Sequence, residues 1–225
     1  MDSRLVAWAR AVKARRSRRH GASPPVLWLF TDAERLADPR PTVRRLPKGL
    51  CGVVLRDDGR PDRAALGRDL ARLCRSRRLA LSVAGDARLA RALGAGLHLR
   101  RGRRPAGGAA CRFATSSAHS LPEVLRAGRS GAALVFLSPC FPTDSHPGAA
   151  ALGPLRWAAI ARAGQAAGIP GLLALGGMSG RRARALPRFC AGAGAIGALA
   201  SEDCDANATL FRNCHGGGPG SVAGT

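Results

Sequence analysis

The sequence predicts a compact (β/α)8 TIM barrel with an added N-terminal basic helix, and three observations predict it. Eight short apolar runs recur from Val26 onward, near residues 26–31, 51–56, 78–83, 96–99, 111–115, 132–138, 171–175 and 194–199. Helical periodicity separates several of them: Ala65, Leu66, Leu70 and Leu73 share a stripe within 63–73, and Leu155, Ala158, Ala159 and Arg162 share another within 155–167. The run Ala132-Ala-Leu-Val-Phe-Leu137 is unbroken, as a strand buried on both faces requires. Eight strands joined by helical crossovers close into a barrel.

Residues 2–20 alternate apolar and Arg-rich positions at helical spacing and end in Arg15-Arg-Ser-Arg-Arg-His20, before Gly21 and Pro24-Pro25. Residues 1–25 therefore read as a surface helix and linker, although an Arg-rich, acid-poor segment also resembles a transit peptide. The portion 26–211 is the expected barrel. It is short for eight strands and eight helices, so some helices must be only a turn or two. Residues 100–108 hold too much Gly, Pro and Arg to form a fourth helix. Ser120 is placed to cap a helix that starts at Leu121, and another helix starts near Ser179. The acidic segment Ser201-Glu-Asp-Cys-Asp205 suits the start of a last helix, and 212–225 is expected to be a disordered glycine-rich tail.

Composition bounds the function. A chain of 225 residues, 46% hydrophobic, has enough material for one core, and without a long apolar run it is expected to be soluble. Basic residues outnumber acidic ones 36 to 14, for a net charge of +22. Only Lys13 and Lys48 are lysines, so the remainder are arginines. Such a field attracts anions, but the arginines are spread over helix surfaces, and a bias toward Arg, Ala and Gly explains them as well. The seven cysteines are odd in number and show no Cys-x-x-Cys spacing, which argues against a disulfide framework and for a reducing, cytoplasmic location. Cys204, Cys214 and His215 match the spacing of no common zinc module.

Candidate chemistry gathers at the carboxyl ends of the expected strands, where parallel-sheet proteins place their sites. The apolar run ending at Leu137 breaks into Ser-Pro-Cys-Phe-Pro-Thr-Asp-Ser-His-Pro-Gly148, a loop dense in hydroxyls and stiffened by Pro139 and Pro142. Thr143, Ser145 and His146 suit ligand binding. Cys140 reads as a nucleophile or as a thiol beside a pocket. Gly176-Gly177 reads as a phosphate cradle or as a tight turn that needs positive φ.

These pieces resemble the thiamine phosphate synthase and TenI-like thiazole tautomerase family. The strand-six loop carries the resemblance, together with Ala174-Leu-Gly-Gly-Met178, which is similar to the seventh-strand turn. Val26-Leu-Trp-Leu-Phe-Thr-Asp32, Gly52-Val-Val-Leu-Arg56 and Ser117-Ala-His-Ser120 are similar to the first strand, the second strand and the turn after the fifth. Order and spacing agree from about Val26 to Ala200.

The resemblance implies thiamine biosynthesis: condensation of hydroxymethylpyrimidine pyrophosphate with thiazole phosphate to thiamine phosphate. Departure of pyrophosphate calls for Mg2+ on carboxylates and for fixed cations. The family's strand-two trio Gln-x-Arg-x-Lys is here Val54, Arg56 and Asp58, so Arg56 alone is retained as the catalytic cation. Its Asn-Asp after strand three is Ala84-Gly85, with Asp86 displaced by one as the remaining candidate metal ligand. Arg100-Arg-Gly-Arg-Arg104 follows His98-Leu99 where an acid is expected, and these arginines are candidates to neutralise pyrophosphate instead. His119 stands where tautomerases move a proton, although synthases of the family carry a His there too, where it orients the turn. Ser117, Thr143, Ser145, His146, Gly176 and Gly177 are the implied substrate-binding residues, with phosphorylated thiazole and pyrimidine as partners. Three rivals remain: a TenI-like tautomerase, a non-catalytic barrel that binds thiamine phosphates, and an RNA-associated protein held through Arg10–Arg19. Neither a membrane nor nucleic acid is the expected partner.

Overall fold

Eight parallel strands close in chain order into a barrel, β8 returning to pair with β1. The computed structural model describes residues 1–20, 24–105, 111–143, 150–169 and 171–201. The strands are β1 (Leu27–Phe30), β2 (Cys51–Leu55), β3 (Ala80–Ala84), β4 (Gly96–Leu99), β5 (Ala114–Ala118), β6 (Leu134–Leu137), β7 (Leu172–Ala174) and β8 (Ala193–Ala195). The helices are α1 (Ser3–His20), α2 (Arg40–Arg45), α3 (Arg63–Ser76), α4 (Ala87–Ala92), α5 (Leu121–Arg129), α6 (Gly153–Ala166), α7 (Gly180–Ala183) and α8 (Gly197–Ala200). Ser145, His146, Cys204, Cys214 and His215, the acidic segment beyond Ser201 and the tail 212–225 lie outside the described residues.

Alternation along each strand divides the core in two. Trp28, Phe30, Val54, Leu134, Phe136 and Leu173 fill the barrel, whereas Leu27, Leu29, Val53 and Leu55 face the helices. A small barrel holds so many rings only if facing positions are small. A Cβ on Gly52 would stand 2.6 Å from the Trp28 ring, and one on Gly96 would stand 2.5 Å from Phe113. Compactness comes from the helices, as expected: α2 and α4 have six residues, and α7 and α8 have four. After β4 the chain makes a tight turn closed by an Arg100–Arg103 bridge, with no helix among the described residues.

Helix α1 is joined to this core. Leu5, Ala9 and Val12, at helical spacing, are buried against it. The Asp2 carboxylate accepts from Leu5 N–H at 2.9 Å and from Gly180 N–H at 2.7 Å, tying α1 to the start of α7. Farther along, Arg16 donates to the Ala191 carbonyl at 2.8 Å.

The structure corrects several sequence expectations. β5 lies at Ala114–Ala118 rather than 111–115, because its hydroxyls are satisfied inside the barrel. Thr115 bonds the His98 ring at 2.9 Å and Ser82 at 3.2 Å, so a run that reads as a turn is strand. β8 ends at Ala195 and gives way to α8, where a strand through 199 was expected. The α6 stripe is Trp157, Ala161 and Gly164, leaving Leu155 exposed. Alanines lie on both faces of this helix, and the Trp157 indole, donating to the Leu137 carbonyl at 3.1 Å, sets the phase. On α3 the buried stripe is Leu66, Leu70 and Cys74, turned away from Ala65. Ser120 occupies the N-cap of α5 without a side-chain cap bond. Glu123 instead accepts the His119 N–H at 2.8 Å.

Candidate active site

Short strands ending at one level bring their following loops together around a mouth. A cavity of about 690 Å³ opens there, within the range that suits a small-molecule ligand. Arg56, Ser117, His119, Thr143, Gly176 and Gly177 all line it. They come from the ends of β2, β5, β6 and β7, so residues far apart in sequence meet in one site.

Electrostatics distinguish this cavity. Arg35, Arg56, Arg100, Arg101 and Arg182 line it, and among the described residues no Asp or Glu does. Arg56 is held at both ends: its N–H donates to Thr31 Oγ1 at 3.0 Å and its guanidinium pairs with Asp32. Arg101 reaches Glu123 at 3.7 Å. Arg182, which the sequence reading did not single out, donates to the Gly177 carbonyl at 2.7 Å and the Pro142 carbonyl at 3.1 Å, and its guanidinium lies 5.5 Å from the Phe141 ring centre. One side chain thus binds the strand-seven turn to the strand-six loop. Its signal in the sequence was an Arg in the first turn after a Gly-Gly pair, where other arginines masked it.

Both readings of the Gly176-Gly177 turn are compatible with its geometry. The φ angles of +91° and +60° need glycine, and a Cβ on Gly177 would stand 2.2 Å from the Pro142 carbonyl oxygen. Among the described residues the two backbone N–H groups have no hydrogen-bond partner, which leaves them available to an oxyanion.

Two histidines differ in environment. His119 Nδ1 lies 2.9 Å from the Ser138 carbonyl oxygen. A carbonyl only accepts, so this bond puts the proton on Nδ1 and leaves Nε2 as the basic nitrogen. His98 is buried at the cavity floor, edge-on to Phe30 with ring centres 5.5 Å apart. Burial, helped by the Arg56 charge, pushes its pKa down to about 3, so it is a neutral hydrogen-bonding group. Cys140 is buried as well, with its thiol pushed up to about 12 by desolvation and, to a lesser degree, by Cys190, which removes the nucleophile reading.

A family model described as thiamine monophosphate synthase matches residues 29–198. The chain belongs to this family. Thiamine phosphate pyrophosphorylase from Pyrococcus furiosus is similar at 26% identity and a TM-score of 0.64, over 79% of this chain and 89% of that one. The enzyme of the same name from Bacteroides thetaiotaomicron shares the fold at 20% identity and a TM-score of 0.50, over 80% and 87%. A search of curated proteins finds no match.

Thiamine monophosphate synthases imply Mg2+, and the residues at this mouth do not fit it. Asp86, the candidate ligand, accepts the Leu89 N–H at 2.9 Å as the cap of α4. Asp58 is paired with Arg63 and Arg100, and Asp32 with Arg56. Among the described residues no three His, Cys, Asp or Glu side chains gather as a metal site. An ion that needs several oxygens meets guanidinium groups here.

Proposed function

We propose that the protein joins hydroxymethylpyrimidine pyrophosphate to thiazole phosphate, forming thiamine phosphate in the cytoplasm. The observation that carries this reading is a cavity lined by five arginines without a described carboxylate, beside a turn whose two backbone N–H groups have no partner among the described residues. Two phosphorylated substrates need two anion stations, and the cavity offers both.

In this reading the thiazole phosphate rests on the Gly176-Gly177 N–H groups, with Thr143 beside it, and Arg182 keeps the turn and the strand-six loop in register. The diphosphate lies toward Arg56, Arg100 and Arg101. The bond from the pyrimidine methylene to the diphosphate oxygen breaks, its electron pair leaves with pyrophosphate, and the thiazole nitrogen forms the new C–N bond. No base is required. Charge grows on the leaving oxygens, and fixed guanidiniums stabilise it most where solvent is excluded. The apolar floor of Phe30 and Leu175 suits the planar rings.

A second reading has one observation in its favour. His119, with Nδ1 engaged and Nε2 basic, suits proton transfer in a thiazole tautomerase. Separate turnover assays decide between them. Thiamine phosphate formed from both substrates supports the synthase. Isomerisation of thiazole carboxylate phosphate without condensation, lost in His119→Gln, supports the tautomerase.

No helix among the described residues is long and apolar enough to cross a membrane. Arg16, within the N-terminal arginine run, is committed to the Ala191 carbonyl, which weakens the RNA-associated alternative.

A further inference from the structure

The corner of the mouth between the ends of β3 and β4 carries its positive charge on the chain itself. Ala84 and Gly85 stand where the resemblance expects Asn and Asp. The Arg100 guanidinium lies over Gly85, so close that a Cβ there would come within 3.3 Å of the guanidinium carbon. A guanidinium thus stands beside the position where the resemblance expects an acid.

The acids nearby complete the exchange. Asp58 stands where the resemblance expects a Lys, and it pairs with Arg100 and also with Arg63 at 3.1 Å. A carboxylate at this position anchors two guanidiniums at the mouth. Arg63 also donates to the Ala84 carbonyl at 2.6 Å, which fixes the pair to the end of β3. Its Nε–H is buried and has no acceptor among the described residues, so the donor that faces the mouth is the half-exposed guanidinium of Arg100. Asp86 is turned to its helix cap, 3.7 Å from Arg63. Asp57 has a buried oxygen without a partner among the described residues, but it lines neither this corner nor the main cavity.

We infer that this corner binds the diphosphate as a metal-free anion, with the Arg100 guanidinium in the place of a divalent cation and Asp58 as its positioning residue. The inference rests on the reading above that a diphosphate occupies this end of the cavity. A guanidinium offers two parallel N–H donors to phosphate oxygens, is charged at every working pH, and brings no water shell to be stripped. Arg101 and Arg56 line the same cavity and share the load.

Calorimetric titration of the full chain with inorganic pyrophosphate tests this, once with EDTA and once with excess Mg2+. The expected affinities agree within about threefold, and Arg100→Ala or Arg100→Gln weakens binding in EDTA by about tenfold. Thermal unfolding confirms that each variant is folded, and the two wild-type titrations stand without any variant. Binding that requires Mg2+ overturns the inference while leaving a diphosphate site in place. Unchanged affinity in both Arg100 variants overturns it too. Failure to bind pyrophosphate in either medium removes the diphosphate reading together with the inference.

Discussion

His98 shows how one buried side chain makes stability depend on pH. Its folded-state pKa of about 3 lies below the ordinary value of 6.5 because the ring is buried and Arg56 is near. Below pH 6.5 the unfolded chain takes up a proton that the folded chain refuses, so stability falls as pH drops toward 3. Above pH 6.5 the group contributes nothing to the pH slope. By pH 5 the loss from this group is about 2 kcal/mol, and His98→Gln removes that part of the slope in chemical denaturation at several pH values. Cys140 gives a companion test: its buried thiol should stay unalkylated in the native protein and react once the chain is unfolded. Arg56 is less free than its sequence position suggests, since Asp32 holds its guanidinium. Arg56→Ala is still expected to weaken pyrophosphate binding, because the variant removes a guanidinium from the cavity wall and leaves the Asp32 carboxylate behind it without that partner. Equal binding by parent and variant contradicts that placement.

At the scale of elements, α1 and the strand-seven turn show what pattern can and cannot reveal. The helix itself was legible from alternating apolar and basic positions. Its burial was not, because an apolar stripe such as Leu5, Ala9 and Val12 in an Arg-rich segment looks the same on a surface as against a barrel. Leu5→Ala is expected to destabilise the whole protein by about 3 kcal/mol in denaturant unfolding, as the loss of a fully buried Leu from a packed core does. A detachable helix would leave the barrel transition unmoved. The turn was legible from Gly176-Gly177, whereas the Arg182 clamp depends on two carbonyls brought together by folding. Arg182→Ala is expected to raise KM for the thiazole phosphate by about tenfold with a smaller change in kcat, the pattern of lost ligand positioning. A fall in kcat at constant KM contradicts that role.

For the whole molecule, the alternation of apolar runs was sufficient to predict eight strands and their closure, because strands buried on both faces leave a strong mark in sequence. Helix phase was harder to read where alanine occupies both faces, as in α6, and so were strand ends where hydroxyls pair inside the barrel, as in β5. The candidate site was legible as loops and positions, and six of its residues meet in one cavity. The exchange of acids for arginines was visible as missing carboxylates. The arrangement of Arg100 over Gly85, anchored by Asp58, needed three dimensions.

On the proposed function, the two ends of this cavity hold two different phosphates, and a crystal structure with thiamine phosphate and pyrophosphate bound is the test. The phosphate of thiamine phosphate is expected on the Gly176 and Gly177 N–H groups and pyrophosphate against Arg56, Arg100 and Arg101. Thiamine phosphate seated with that turn empty, or pyrophosphate found away from those arginines, would contradict it.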